Sequence, residues 1–370
     1  MDEEELRSLC RLARAPGARA STLLSATALA GSIPRWVSLP VRDLAALGFT
    51  AGQAHALHAV EPATLEADLA TVRKLKLHVI SARSALYPAR LLQIPDAPAV
   101  LFVRGDPAAL ATPQIALVGS RNPTALGHGT ARDFACFFGQ CGLTITSGLA
   151  VGIDAASHEG ALAAGALTVA VCGTGLDVPY PRPHTALAAR IAAQGALVSE
   201  FPPGTPPLAH HFPQRNRLIS GLSLGVLVIE AARRSGSLAT ARCAGDQGRE
   251  VFAVPGSIHN PLSRGCHELI RQGATLVECA DDVLRELHFP QLKQTLDDAP
   301  PAADRTPARP GQLDKPAEIL LDALGFEPTS VDALIARTGF SSELLASLLL
   351  EGELDGRIAP EAGGRYRRVP

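Results

Sequence analysis

Short apolar runs recur along the chain from about residue 77 onward, and Ala-rich helical segments separate them. The runs are "LHVISA", "AVLFVRG", "IALVG", "LTITSG", "LTVAVCG", "ALVSE", "LGVLVIEA", "EVFAVPG" and "ATLVE". Continuous Val, Ile and Leu indicate strands buried on both faces, and each run ends in a glycine or polar turn that leads into a helix. The pattern therefore predicts a doubly wound α/β domain with a mainly parallel sheet, over about residues 66–289.

The two ends of the chain follow different patterns. Residues 1–65 have helical periodicity with breaks at "APGARAS" and "GSIPRW", which predicts a small helical domain. Residues 290–313 contain "QTLDDAPPAADRTPARPGQ" and are predicted to be a flexible linker. Residues 314–370 offer short helical segments and then a Gly-Gly hairpin, which favours a winged-helix-like domain.

Length and charge limit the function. A chain of 370 residues exceeds one comfortable core, and its formal charge of −2 excludes a generally basic coat for nucleic acid. Any anion binding must come from a local cluster. Lysine occurs only as Lys74, Lys76, Lys293 and Lys315, so arginine supplies most of the positive charge.

The cysteines are scattered without a C-x-x-C pair, which is typical of reduced thiols in a cytoplasmic protein. The N-terminus "MDEEELRSL" does not resemble a secretion signal, and no apolar stretch has membrane length. We therefore expect a cytoplasmic protein without membrane insertion, metal or cofactor.

Small residues end several of the predicted strands, in "GSR", "SGLAVGID", "GTGLD", "EAARRSGS" and "VPGS". Glycines let backbone amides approach a ligand, and the helix that follows offers unpaired N–H groups, so neighbouring turns of this kind form a phosphate cradle. The first turn lacks G-x-G-x-x-G, and G-K-[ST] is absent throughout. Nicotinamide binding and P-loop ATP hydrolysis are therefore not supported.

Arginines surround these turns. Between Phe201 and Arg242 a single acid, Glu230, stands against Arg215, Arg217, Arg233, Arg234 and Arg242, and Arg121 follows the first turn. A local excess of this kind suits a groove for an extended polyanion, and Phe212 could stack on an unpaired base. The interpretation is a single-stranded nucleic-acid groove.

Structural interpretations of the same residues stay open. Phe212 could be the hydrophobic staple of the following helix, and Asn216 could cap a helix that begins near Leu218. Arg215 or Arg217 could form ion pairs with Glu200 or Glu230.

The histidines and the acids give no catalytic pattern. His158 lies four residues after Asp154, but a third ligand is missing, which favours a hydrogen-bonded helix histidine. His210 and His211 receive no metal assignment. No nucleophile has a neighbouring base, so the protein is expected to bind rather than to catalyse.

Blocks in family order over about residues 80–285 resemble the DprA/Smf family, the DNA-processing proteins of natural transformation. They are "GSRNPTALG", "SGLAVGIDAASHEGAL", "GTGLDVPYPRPH", "SEFPPG", "FPQRNRLISGLS", "VLVIEAARRSGSLATARCAGDQGREVFAVPG" and "GCHELIRQGA". The resemblance implies an extended Rossmann-like domain that binds single-stranded DNA and forms homodimers. It also implies a protein that protects incoming DNA and loads the RecA recombinase, without enzymatic turnover.

The matching motif positions imply which residues line the DNA groove, and the local arginine cluster adds Arg233 and Arg234. The motif positions are Ser120, Arg121, Gly148, Phe212, Arg215, Asn216, Arg217, Ser235 and Gly236. A lysine that some relatives carry before the aromatic is replaced here by "LAHH".

The terminal regions also resemble appendages of this family. The helical N-terminus resembles a sterile-alpha-motif-like or helix-hairpin-helix extension. In the winged-helix-like tail the segment Ser342 to Glu353 is acidic, which predicts contacts with protein rather than duplex DNA. The wing favours contact with DNA instead, because it carries Arg357, Arg365, Arg367 and Arg368.

Two other functions compete with DNA binding. A nucleotide N-glycosidase of the phosphoribohydrolase kind shares a related sheet, but "SGSLATARC" keeps Gly236 and Thr240 and lacks the catalytic acid of that family. A scaffold that recruits partners through its two ends is the third interpretation.

Overall fold

The computed structural model describes residues 2–288, 315–325 and 328–369. These residues divide into two compact units, the first ending at residue 288 and the second starting at residue 315. The predicted linker 290–313 lies outside the described residues.

The first unit opens with short helices: α1 (Glu3–Ala13), α2 (Ala20–Ala30), α3 (Ile33–Val37), α4 (Val41–Ala46), α5 (Ala51–His58) and α6 (Pro62–Leu75). Side-chain caps fix two of their starts, since Asp2 accepts from Glu5 N and Thr50 forms a capping box with Gln53. Trp36 is fully buried among these helices, and its indole N–H donates to Thr27 Oγ1.

A sheet of nine strands forms the body of this unit: β1 (His78–Ser81), β2 (Val100–Gly105), β3 (Gln114–Val118), β4 (Thr144–Ser147), β5 (Thr168–Val171), β6 (Ala196–Ser199), β7 (Gly225–Val228), β8 (Glu250–Ala253) and β9 (Thr275–Leu276). The strand order is β1-β2-β6-β5-β4-β3-β7-β8-β9. Strands β6 through β9 in this order pair in parallel, while β1 and β2 are antiparallel. The predicted mainly parallel, Rossmann-like sheet is confirmed.

Helices cover both faces of the sheet: α7 (Ala125–Gln140), α8 (Ile153–Ala163), α9 (Thr185–Gln194), α10 (His211–Leu222), α11 (Ser237–Asp246), α12 (Arg264–Arg271) and α13 (Ala280–Glu286). Side chains along a strand alternate between two cores. On β3, Ala116 and Val118 belong to one core, and Ile115 and Leu117 belong to the other. This alternation explains why apolar residues occupy consecutive positions in a strand such as β3.

The N-terminal helices share a continuous hydrophobic core with the sheet. That core contains Leu9 of α1 and Trp36 of α3 together with Leu101 of β2 and Val169 of β5. The helix α6 also continues past residue 65, where the sequence places a boundary. The separate status of residues 1–65 stays a prediction.

The order of the strands determines where a ligand can bind. β3 lies between β4 and β7, and the chain winds outward from it in both directions. A crevice therefore opens at the carboxyl ends of β3 and β7, where the flanking connections diverge. The loops that follow β3, β4 and β7 border this crevice.

The second unit is a small helical domain with a three-stranded sheet. It contains α14 (Lys315–Leu324), β10 (Thr329–Ser330), α15 (Val331–Thr338), α16 (Ser342–Leu354), β11 (Ile358–Glu361) and β12 (Arg365–Arg368). The antiparallel order is β10-β12-β11, and Gly363 and Gly364 supply the positive φ angles of the β11–β12 turn. The predicted winged helix is confirmed.

Within the described parts of the chain, no single helix is long and apolar enough to cross a membrane; the bent pair α15 and α16 meets that test only jointly.

A half-buried ion pair joins the end of α1 to α6, and its arginine also contacts the loop after β6. Arg14 donates from Nε and Nη2 to the two carboxylate oxygens of Asp68, both at 2.6 Å, and Nη2 also donates to Pro203 O at 3.1 Å. Asp68 is 2% exposed. The hydrogen bond to Asp68 raises the pKa of Arg14.

Replacing Arg14 by alanine should lower the free energy of unfolding by about 2–3 kcal/mol, because it leaves the Asp68 carboxylate buried and unpaired. The matched control is Arg7→Ala, since the Arg7–Glu66 pair is exposed and should contribute less than about 1 kcal/mol. Urea unfolding of both variants measures the difference. Equal losses would contradict this role for Arg14.

Candidate nucleic-acid interface

Three loops meet at the crevice and bring most of the predicted residues together. Ile153 N, at the start of α8, donates to Ser120 O after β3 at 3.1 Å. Gly152 has φ +86°, and a Cβ there would lie 2.7 Å from Arg121 O. On the other side, Asn216 Nδ2 of α10 donates to Gly236 O after β7 at 3.4 Å.

The N-terminus of α8 supplies unpaired backbone donors at the same edge. Gly152 precedes α8 and has no side chain to cap it, and within the described residues the N–H groups of Asp154 and Ala155 have no hydrogen bond. Such groups carry a partial positive charge and are available to an anion. In α11, by contrast, Ser237 N donates to Ser235 Oγ and Leu238 N donates to Ser235 O. In α7 the cap Thr124 accepts from Gly127 N.

The carboxylates at this edge are already engaged inside the protein. Both oxygens of Glu230 accept from Thr124, Oε2 from its N–H at 2.9 Å and Oε1 from its hydroxyl at 2.6 Å. Asp154 Oδ2 accepts from Gly148 N at 3.1 Å and Ala150 N at 3.3 Å. Both side chains are buried, so their charge is directed into the loops.

The arginines at the rim are exposed. Arg121 follows β3, Arg233 and Arg234 follow β7, and Arg242 lies on α11. None of the four side chains has a hydrogen bond or ion pair within the described residues. Because the neighbouring carboxylates face inward, the surface of this edge presents positive charge.

Arg215 does not reach this surface, contrary to the prediction that it meets phosphates. It is 5% exposed and donates from Nη1 to Gly148 O at 2.8 Å and to Val171 O. Burial lowers its pKa, while the nearby Asp154 carboxylate raises it. Arg215 therefore holds the loop after β4 from below and does not pair with Glu200 or Glu230.

Arg217 confirms the structural interpretation as an ion pair. Its Nη2 donates to Glu200 Oε2 at 2.6 Å, and its Nε lies 3.0 Å from Asp96 Oδ2. Burial raises the pKa of Glu200, and Arg217 opposes that shift. The Arg217 side chain is 13% exposed, so it fixes α10 against the sheet rather than facing a strand of DNA.

The helix α10 begins at His211, earlier than the sequence suggested. Asn216 therefore lies in the middle of α10, and the prediction that it caps a helix near Leu218 is wrong. Pro213 obscured this start, although a proline in the first turn costs nothing because that N–H has no intrahelical partner.

Phe212 lies inside the first turn of α10, so its interpretation as a staple preceding the helix is wrong. Its ring centroid is 5.1 Å from that of Tyr180, and a Cβ on Gly173 would lie 3.0 Å from its Cδ1. Both rings remain partly exposed above the end of β5. Ser235 and Gly236 are accessible in the loop after β7, and Ser120 is buried beneath Arg121.

His158 is a hydrogen-bonded helix histidine, as predicted. Its Nδ1 lies 2.7 Å from Thr168 Oγ1, and the ring is fully buried. Burial lowers the pKa of His158 to about 3, and His184 and Arg215 add to that shift. Across the described residues, no group of His, Cys, Asp and Glu is arranged to hold a metal ion.

Sequence reasoning missed the contacts that hold the loops. It counted Glu230 as an acid opposing the arginines, whereas Glu230 binds Thr124 of the neighbouring loop. It also left Asp154 without a role. The run "SGLAVGID" contained the relevant signal, since an aspartate shortly after a glycine turn commonly accepts from the turn's N–H groups.

The fold and the site together define a Rossmann-like protein with exposed arginines along a crevice and with a winged-helix domain. Residues 78–288 match the family model "DNA recombination-mediator protein A", and residues 300–364 match "DprA winged helix domain". The chain belongs to the DprA/Smf family.

Individual relatives agree with this assignment. The chain is 46% identical to protein Smf of Escherichia coli over 323 residues, which covers 86% of this chain and 85% of that protein. The X-ray structure of DNA processing protein A from Streptococcus pneumoniae matches with a TM-score of 0.66 and 38% identity, over 75% of this chain and 96% of that one. DNA processing protein A from Helicobacter pylori, described for its single-stranded DNA binding mode, matches with a TM-score of 0.53 and 28% identity, over 58% and 96%.

The substitution Gly148→Ala should destabilise the protein by about 2–4 kcal/mol, because the new Cβ would lie 2.6 Å from the Arg215 guanidinium and 2.7 Å from Asp154 Oδ2. The control is Gly245→Ala in α11, where a Cβ meets nothing within 4 Å and helix propensity should add about 0.5–1 kcal/mol. Thermal unfolding compares the two. A stable Gly148→Ala variant would contradict this packing.

The buried His158 should make stability depend on pH. The unfolded chain binds a proton below about pH 6.5 that the folded chain binds only near pH 3. Above pH 6.5 this histidine therefore leaves the free energy of unfolding unchanged. Below pH 6.5 it lowers that free energy by up to about 1.4 kcal/mol per pH unit.

Lowering the pH from about 7 to about 5 should reduce the free energy of unfolding of the wild type. In His158→Gln this reduction should be smaller by about 2 kcal/mol, as measured by urea unfolding at both pH values. The same pH dependence in both proteins would mean that His158 takes up its proton while folded.

Proposed function

We propose that this protein binds single-stranded DNA through the crevice at the carboxyl edge of its sheet and acts as a recombination mediator. The observation that carries the proposal is the separation of charge at that edge. Glu230 and Asp154 face inward, while Arg121, Arg233 and Arg234 are exposed without partners in the described chain. A nearly neutral protein thereby gains a local site for a polyanion.

The crevice suits a sugar-phosphate strand. Phosphates would meet the exposed arginines and the free N–H groups of Asp154 and Ala155 in the first turn of α8. The exposed faces of Phe212 and Tyr180 would take an unpaired base at about 1–3 kcal/mol per stacked base. Backbone amides and stacking read no particular base, so affinity should depend on salt far more than on sequence.

Within this proposal the protein protects incoming strands and loads RecA onto them during natural transformation, as a homodimer in the cytoplasm. This part rests on membership of the DprA/Smf family, whose relatives include DNA processing proteins DprA from Streptococcus pneumoniae and Bacillus subtilis. The match with the Helicobacter pylori protein supports the choice of single-stranded DNA as ligand.

The winged-helix domain fits contacts with protein better than contacts with duplex DNA. The exposed side of α16 carries Glu343 and Glu351 together with Leu350 and Leu354, and the helix contains no basic residue. An acidic helix is repelled by the phosphates that line a major groove. In the wing, Arg367 is held by Glu361 at 2.8 Å.

Catalysis of nucleotide N-glycosidic cleavage receives less support. The reaction needs a carboxylate beside the bound sugar, and the nearest candidate, Glu230, has both oxygens occupied by Thr124. The proposal is therefore a binding protein without turnover.

Replacing Arg121 by alanine should weaken binding of a fluorescent oligothymidylate about three- to tenfold at moderate salt. It should also reduce the slope of log K against log salt by about 0.7, since one phosphate contact is lost. In the double variant Arg233→Ala with Arg234→Ala, the slope of log K against log salt should fall by about twice as much. Fluorescence anisotropy over a salt series measures both.

The matched control is Arg190→Ala, which removes an exposed arginine on α9, outside the crevice. Its affinity and its slope should equal those of the wild type. If all the variants bind with wild-type slopes, the DNA does not lie in this crevice.

A further inference from the structure

A mainly apolar pocket of about 160 Å³ lies on the side of the crevice that carries β5, β6 and β2. Its lining includes Leu149 in the loop after β4 and Leu176 in the loop after β5. Ala188 and Ala189 of α9 and Leu75 at the end of α6 also line it. The pocket therefore extends from a loop that borders the crevice to the last of the N-terminal helices.

Tyr180 connects this pocket with the crevice. Its ring lines the pocket, is 41% exposed and has its centroid 5.1 Å from that of Phe212. His184, also in the wall, places its Nδ1 2.9 Å from Leu149 O, which ties the loop after β5 to the loop after β4. A strand with a base stacked on Phe212 or Tyr180 therefore has this pocket beside it.

Positive charge borders the pocket as well. Arg104 of β2 is part of its lining, and Lys74 and Lys76 lie at the end of α6. Both lysines are exposed and Arg104 is half-buried, and in the described parts of the chain none of these side chains has a hydrogen bond or ion pair. The acid of the wall, Asp177, accepts from Gly204 N with both oxygens, at 2.9 and 3.0 Å. As in the crevice, the carboxylate is engaged and the cations are free.

We propose that a bound strand continues from the crevice over this second surface, where the pocket receives one base and the three cations contact phosphates. We call the pocket with Lys74, Lys76 and Arg104 the extension surface. This inference rests on the proposed function, because it lengthens the path of the single-stranded DNA held by the crevice. The extension surface contributes only to strands that are long enough to reach it.

The pocket has the size and the chemistry to hold any base. A protein cavity of about 150 Å³ binds benzene, so a pocket of about 160 Å³ admits the six-membered ring that all four bases share. Leucine, alanine and proline side chains bury a ring without reading its hydrogen-bonding groups. Tyr180 and Ala189 are exposed, so the polar edge of the base can stay in contact with water. The pocket thus adds affinity without preferring one base, as proposed for the crevice.

Strand length separates the two surfaces. The test uses the full chain and labelled oligothymidylates of about 6 and about 20 nucleotides, with fluorescence anisotropy over a salt series. In the double variant Lys74→Gln with Lys76→Gln, affinity for the long strand should fall about tenfold. The slope of log K against log salt should fall by about 1.4, since two phosphate contacts are lost. Affinity for the short strand, which the crevice holds alone, should equal that of the wild type.

Two control variants accompany the lysine variant. Arg121→Ala changes the crevice, so it should weaken binding of the short and the long strand alike. Arg190→Gln removes an exposed charge of α9 that does not line the pocket, and it should weaken neither strand. Retained affinity for the short strand also shows that the lysine variant is folded.

The substitution Ala189→Leu tests the pocket itself. Ala189 is exposed and lines the pocket, so a larger side chain fills the space without changing the core. The variant should bind the long oligothymidylate about tenfold more weakly, because one base contact is lost, and the short one normally. A long abasic strand has no base to place in the pocket, so the wild type and Ala189→Leu should bind it equally.

The inference is overturned if the lysine variant weakens both strands equally or weakens neither. It is also overturned if Ala189→Leu binds the long oligothymidylate as the wild type does, or loses as much affinity for the abasic strand. Failure of the wild type to bind either oligothymidylate would instead contradict the proposed function.

Discussion

The inward orientation of the carboxylates at the strand ends is the constraint on which the rest of this site depends. An ionised carboxylate beside a crevice would repel a phosphate strand unless its charge were directed elsewhere. Glu230 and Asp154 accept hydrogen bonds from backbone N–H groups of neighbouring loops, so each acid fixes a loop and is removed from the surface. The same contacts thus shape the crevice and determine its sign of charge.

Buried arginines extend this arrangement. Arg215 supports the loop after β4 from beneath, and Arg217 ties α10 to Glu200 and to Asp96 before β2. Their charges compensate carboxylates in a region of low dielectric, where an unpaired partner would be costly. Arginines in one short motif thus serve the scaffold, while those of neighbouring loops remain free for a ligand. Arg14 performs a similar task between the N-terminal helices and the loop before α10.

The strands were predictable because burial on both faces leaves an uninterrupted apolar run, as in "IALVG" of β3. The Gly-Gly turn of the wing could also be predicted from the sequence. Contacts between residues distant in the sequence could not be predicted in this way. Whether Arg215 and Arg217 face solvent depends on Val171 and Glu200, which only the packing of α10 on the sheet brings near. Pro213 hid the start of α10, since a proline breaks a helix interior but is tolerated in the first turn. Arg121, by contrast, follows β3 directly and is exposed there, and its contact with DNA stays a prediction.

A crystal structure of the protein with a short oligothymidylate tests the central claim most directly. Phosphates should lie within hydrogen-bonding distance of Arg121 and of the first-turn N–H groups of α8, with Glu230 still bound to Thr124. A strand bound on another face of the sheet, or a Glu230 carboxylate turned outward into the crevice, would contradict it.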